Sequence, residues 1–135
     1  MPRRKAEAGL EPNRRSELLH AAARLFVEKG FAATTTRDIA DAVGMRSGSP
    51  FYHFRSKQEL LKEAILDGLA AGQARISAAS AGIADPVQRL RVMVRTYLAT
   101  VLDVNCTSPM LLSETRSLDV DERAEITAAF DSYQA

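Results

Sequence analysis

The 135-residue sequence is poor in the residues that build catalytic and metal centres. It has one cysteine, Cys106, and two histidines, His20 and His53. A single thiol excludes an internal disulfide and fits a reducing compartment; a small buried thiol at a helix end is the reading preferred to an oxidation sensor. With so few histidines and no carboxylate spacing that completes a ligand set, neither a metal nor a cofactor is expected. No nucleophile and base stand in a catalytic motif, so no catalytic residue is assigned and no enzyme is expected. No apolar run approaches the ~20 residues that span a bilayer, and the basic start lacks the apolar segment of a secretory signal. Low-complexity tracts and alternating strand patterns are missing too, which leaves an all-α fold.

What is present suits a charged partner. The chain is 26% charged and 46% hydrophobic, enough for a core without disulfides but short for two large domains. Its net charge of +1 hides an asymmetry, because residues 1–57 carry a net +5 and residues 58–135 a net −4. A polyanion is therefore drawn to the first part and kept off the rest. Residues 1–12, with Arg3, Arg4 and Lys5, read as a flexible basic arm that either enters a minor groove or stays a solvated tail.

Helical periodicity organises the remainder. A first helix is expected from Asn13 to Lys29, with Leu18, Ala22, Leu25 and Phe26 inward, Arg14, Arg15 and Arg24 outward, and Gly30 at its end. Residues 34–57, TTTRDIADAVGMRSGSPFYHFRSK, then read as two short helices around a glycine. Any of the three threonines caps the first, Ile39, Ala40 and Val43 form its buried face, and Gly44 stops it. Phe51 and Phe54 lie on the inner face of the second, which leaves Ser47, Ser49, Tyr52 and His53 outward. This arrangement is a helix-turn-helix, whose second helix enters the major groove.

Pro50 complicates the start of that second helix. A cap at Ser47 makes Pro50 harmless, a cap at Arg46 loses one hydrogen bond, and a start at Ser49 shifts every base-facing side chain; Ser47 is favoured. Downstream, Ser56 and Glu59 form a capping box that opens a long helix at Lys57, with Leu60, Leu61, Ala64, Ile65 and Leu69 as its stripe. It is expected to fray between Ala70 and Gly82, with Arg75 and Ile76 left open as helical. Asp85 and Pro86 start another helix, with Val87, Leu90, Val94, Tyr97, Leu98 and Val101 inward, ending near Asp103 to Cys106. Ser108 and Pro109 start a short one through Leu118, and Asp119 or Asp121 a last one carrying Ile126, Ala129, Phe130 and Tyr133.

The helix-turn-helix segment resembles the DNA-binding module of the TetR family of transcriptional regulators at Thr35, Asp38, Ile39, Ala40, Gly44, Gly48, His53, Phe54, Ser56 and Lys57. Upstream, Leu25, Phe26, Gly30 and Phe31 are in the same register. The resemblance covers about residues 13–65; beyond them the chain matches as a generic run of amphipathic helices. Pro50 departs from the family's usual apolar residue.

The resemblance implies a basic arm (1–12), a three-helix DNA-binding domain (13–56) and a helical effector-binding and dimerisation domain (57–135). The DNA-facing set it implies is Thr36, Arg37, Arg46, Ser47, Gly48, Ser49, Tyr52, His53 and Lys57. Arg46 either pairs with guanine O6 and N7 or is a solvated turn residue, Gly48 permits close approach to the sugar-phosphate wall, Tyr52 either meets the backbone or packs on the first helix, and Lys57 matches a phosphate-binding lysine. Met93, Tyr97, Val101, Met110, Leu111 and Phe130 form the candidate effector lining, suited to a largely apolar small molecule. Homodimerisation, a palindromic operator, effector-driven release and a cytoplasmic location follow from the same resemblance. Two final dimer-forming helices are expected to be missing, since the sequence ends at Ala135 within or just after the seventh. The competing expectation is a helical ligand-binding or dimerisation module without specific DNA binding.

Overall fold

The computed structural model describes residues 12–45, 54–103 and 112–134. Among the described residues there are five α-helices and no strand: α1 (Pro12–Lys29), α2 (Thr36–Ala42), α3 (Lys57–Ser80), α4 (Pro86–Leu102) and α5 (Val120–Gln134). A 3-10 helix, Leu112–Ser117, precedes α5. The proposed recognition segment around Ser47 and Pro50, and the stretch holding Cys106, lie outside the described residues.

The helix ends follow local chemistry. Gly30, at φ 82°, takes the left-handed conformation that closes α1, and Gly44, at φ 68°, does the same after α2. Between them the three threonines divide three tasks. Thr34 is fully buried and its hydroxyl donates to the Leu25 and Gly30 carbonyls, at 3.1 and 2.8 Å. Thr35 is the cap of α2: its hydroxyl accepts from the Asp38 N–H, and the Asp38 carboxylate accepts from the Thr35 N–H, each at 3.0 Å. Thr36 is the first helical residue.

One apolar cluster joins α1, α2 and α3. Leu18, Leu19, Ala22, Ala23 and Phe26 from α1 meet Phe31, Ile39 of α2, Phe54, and Leu60, Leu61, Ala64 and Ile65 of α3. Each fully buried Leu, Ile or Phe contributes about 1.5–3 kcal/mol relative to exposure, so this patch carries most of the local stability. The rings of Phe26 and Phe31 pack tilted at 47°, 5.2 Å between centroids. Leu118 and Ile126 enter the same cluster from the C-terminal part, so the core is continuous across the expected boundary at residues 56 and 57.

Four expectations need correction. The capping arrangement at α3 is displaced by one residue: Ser56 accepts from the Glu59 N–H at 3.1 Å, but the Glu59 carboxylate accepts from the Arg55 N–H. Nor does α3 fray after Ala70. It continues to Ser80, because its alanines favour helix and α4 packs along it; Ser80 is buried and its hydroxyl donates to the Ile76 carbonyl at 2.8 Å. At the C-terminal end, the expected short α-helix is, in its described part, the 3-10 turn Leu112–Ser117.

The orientation of α4 is the fourth. Its bounds match its cap, Asp85, whose carboxylate accepts from the Gln88 N–H at 3.3 Å. Its apolar stripe, however, does not face inward. Val87, Leu90, Val94, Tyr97 and Leu98 are 49–63% exposed and Val101 36%, since α4 packs chiefly on α3 and turns this stripe away from it.

Candidate nucleic-acid interface

The site is built on a pinned turn. Between α1 and α2, residues 30–35 are held from three sides: by the Thr34 hydroxyl beneath, by the Thr35–Asp38 box at the helix start, and by Lys57 across the chain. The Lys57 ammonium donates to the Phe31 carbonyl at 2.8 Å and to the Thr34 carbonyl at 3.1 Å. It also lies 4.2 Å from the Phe31 ring centroid, a cation-π contact.

Asp38 extends the network back to α1. Its carboxylate receives Lys29 Nζ at 2.8 Å. The bond from Lys29 is the largest cause, followed by the Thr35 N–H and hydroxyl, that holds the Asp38 carboxyl down at about 2. The start of α2, with Thr36 half-buried and Arg37 exposed, thus stands on a rigid base.

Positive charge on this part of the molecule is distributed unevenly. Arg14 pairs with Glu17 at 3.0 Å, and Arg15 pairs with Glu63 at 3.3 Å while lying 5.5 Å from the Phe54 ring centroid. Lys29 is committed to Asp38. Among the described residues, Arg24 and Arg37 are exposed and form no ion pair, which leaves their guanidinium groups available to phosphate.

The sequence-derived set is therefore placed in part. Thr36 and Arg37 share the N-terminal end of α2, and Lys57 sits at the head of α3, tied to the turn that precedes α2. Arg46, Ser47, Gly48, Ser49, Tyr52 and His53 lie outside the described residues. Of the effector set, Met93, Tyr97 and Val101 are on the exposed side of α4, whereas Phe130 packs partly buried against the core. Met110 and Leu111 lie outside the described residues. Beside them on α4 runs an open groove of about 520 Å³ lined by Val87, Leu90, Arg91, Val94, Arg95 and Leu98.

Sequence reasoning missed the Lys29–Asp38 pair, the buried role of Thr34 and the double carbonyl contact of Lys57. A charged pair nine residues apart and a lysine 26 residues from its acceptor have no periodic signature. A second unforeseen link ties the C-terminal part to α3: Lys62, 14% exposed in its side chain, pairs with Glu125 at 3.2 Å. Burial opposes the Lys62 charge, yet its bond to Glu125, reinforced by Glu63 and Glu59, holds its pKa above the ordinary value.

A short helix seated on a fixed turn, an exposed arginine at its start and a glycine stop before the next segment are features of the first half of a helix-turn-helix. Residues 18–64 match the family of bacterial regulatory proteins called the tetR family, and over those residues the chain matches the DNA-binding domain of that family. It is 44% identical over 84 residues to the transcriptional repressor KstR2 of Mycobacterium tuberculosis, covering 62% of this chain and 42% of that protein. The crystal structure of the superantigen PfiT superposes with a TM-score of 0.81 at 35% identity, over 89% of this chain and 64% of that one. AibR, solved with isovaleryl coenzyme A and operator DNA, superposes with a TM-score of 0.73 at 29% identity, over 88% and 65%. The chain thus spans less than half the length of that curated relative and just under two thirds of those solved chains.

Proposed function

We propose that the chain is a sequence-specific DNA-binding transcriptional regulator of TetR type, a repressor that a small, largely apolar ligand releases from a palindromic operator. It acts in the cytoplasm as a homodimer on double-stranded DNA. The observation that carries this reading is the start of α2: Arg37 stands exposed and without an ion pair among the described residues, on a turn fixed by Thr34, Thr35, Asp38 and Lys57. Rigid presentation of this kind lets side chains read a duplex without the cost of ordering a loop.

Thr36 and Arg37, then Arg46, Ser47, Gly48, Ser49, Tyr52 and His53, with Lys57 behind them, form the DNA-facing set. KstR2 is a repressor, and AibR was solved on operator DNA with an acyl-coenzyme A; both support the reading without transferring their ligands. Met93, Tyr97, Val101, Met110, Leu111 and Phe130 are the proposed effector contacts, and the apolar character of the α4 face favours an apolar molecule.

Fluorescence anisotropy tests it with a duplex selected from random DNA by this protein against an unrelated duplex of equal length, at several salt concentrations. The selected duplex binds about 10³-fold or more tighter, and affinity for both falls steeply with salt. Equal affinities with a shallow salt slope overturn the reading in favour of a module that does not read DNA.

A further inference from the structure

Lys57 is placed for a different task from holding phosphate. An ammonium has three N–H bonds, and here the Phe31 and Thr34 carbonyls, at 2.8 and 3.1 Å, take two of them. The Phe31 ring, 4.2 Å away, screens one side of the charge. Both carbonyls belong to the turn between α1 and α2, 26 and 23 residues back in the chain, whereas Lys57 is the first residue of α3. The stem of α3 beyond it is anchored in the core by Leu60 and Leu61, each fully buried. The ammonium therefore bridges a fixed helix and the turn that sets the direction of α2.

We propose that Lys57 is a positioning residue for DNA reading: it clamps the Phe31–Thr34 turn to the start of α3 and so fixes the angle at which Thr36 and Arg37 are presented. The inference rests on the DNA-binding function proposed above and assigns Lys57 its part in it. Without the clamp, the Phe31 and Thr34 carbonyls turn to water, and Thr34, whose N–H donates to the Gly30 and Phe31 carbonyls at 3.2 and 3.3 Å, loses one support of its turn. The buried Thr34 hydroxyl and the Thr35 cap keep the turn folded but not singly oriented. A clamp and a phosphate ligand differ in their signature. Removal of a phosphate ligand weakens all duplexes alike and lowers the salt slope; removal of a clamp blurs discrimination and leaves the slope.

Lys57→Met keeps the aliphatic stem and removes the donors. In the full chain, its affinity ratio for the selected duplex over the unrelated one falls roughly tenfold, the scale of one lost base reading. Its salt slope stays as in the wild type, and the Thr34 amide of the free protein exchanges faster. A slope lower by about 0.9 with an unchanged ratio makes Lys57 a phosphate ligand and overturns the clamp. So does a lower melting temperature with ratio and slope both intact, which is a purely stabilising role.

A wild-type measurement stands independently of how well the variant folds. Nitrogen-15 spectra of the Lys57 ammonium show couplings to the Phe31 and Thr34 carbonyls both free and with the selected duplex bound. An ammonium that leaves these carbonyls when DNA binds refutes the proposal. A wild-type chain without duplex preference fails the DNA-reading function instead, while the couplings and the Thr34 exchange still report on the clamp, so the two failures are told apart.

Discussion

Helices α1 and α4 have nearly equal lengths, 18 and 17 residues, and each carries an apolar stripe at helical spacing, yet they meet opposite fates. Leu18, Leu19, Ala22, Ala23 and Phe26 of α1 are at most 4% exposed, whereas Val87, Leu90, Val94, Tyr97 and Leu98 of α4 are 49% exposed or more. The cause is in their neighbours. α1 is wrapped by α2 and α3, while α4 leans chiefly on α3. An amphipathic stripe states that a helix has a face to bury; what buries it is a property of the surroundings.

The largest effect tests this contrast directly. Phe26→Ala empties a fully buried site and costs about 3–5 kcal/mol in urea unfolding. Leu90→Ala on α4 costs less than about 1 kcal/mol, because its side chain is already 62% exposed. Equal losses at the two positions break the comparison and show the α4 stripe covered in solution.

A second difference concerns charge. Arg37→Ala weakens binding to the selected duplex by about 1–3 kcal/mol, read as anisotropy. Arg95→Ala, in the lining of the α4 groove, leaves that affinity within about 0.5 kcal/mol. An Arg95 effect as large as that of Arg37 moves the interface away from α2.

Caps give a smaller effect. Thr35→Ala removes the side-chain acceptor of the Asp38 N–H and costs about 1 kcal/mol of stability. Asp85→Ala removes the equivalent acceptor of the Gln88 N–H and costs α4 a similar amount, but it reaches overall unfolding less fully because α4 adds no residue to the common core. Calorimetry on the two variants checks it: Thr35→Ala lowers the main transition more than Asp85→Ala does.

These contrasts mark what was legible beforehand. Stops at Gly30 and Gly44, the Asp85–Pro86 start and the stripe of α3 are local, written in neighbouring residues, and the structure has them where the sequence places them. The continuation of α3 to Ser80 was not legible, because packing by α4 overrides the weak propensity of its glycines and serines. Nor was the direction of the α4 stripe. At the candidate site, Thr36 and Arg37 were named from the family resemblance and lie at the head of α2, but the clamp of Lys57 arises when the chain returns 26 residues later to the same turn, which periodicity does not encode.

The smallest effect sharpens the comparison at the start of α2. Asp38 ties the cap to α1, since its carboxylate accepts from Lys29 at 2.8 Å and from the Thr35 N–H at 3.0 Å. With its folded pKa at about 2 against an ordinary 3.8, the carboxylate stabilises the fold fully above 3.8, and that contribution fades as the pH falls toward 2. The pair is partly exposed, so salt weakens it and its share of the total stability is small. An NMR titration of the Asp38 side chain finds a midpoint near 2 in the wild type and a higher one in Lys29→Met, because the lysine is the leading cause of the shift. In the same window Asp38→Asn loses less stability with falling pH than the wild type does. A wild-type midpoint at 3.8 instead means that the box and its lysine do not hold α2 to α1 in solution, and the rigid base beneath Thr36 and Arg37 goes with them.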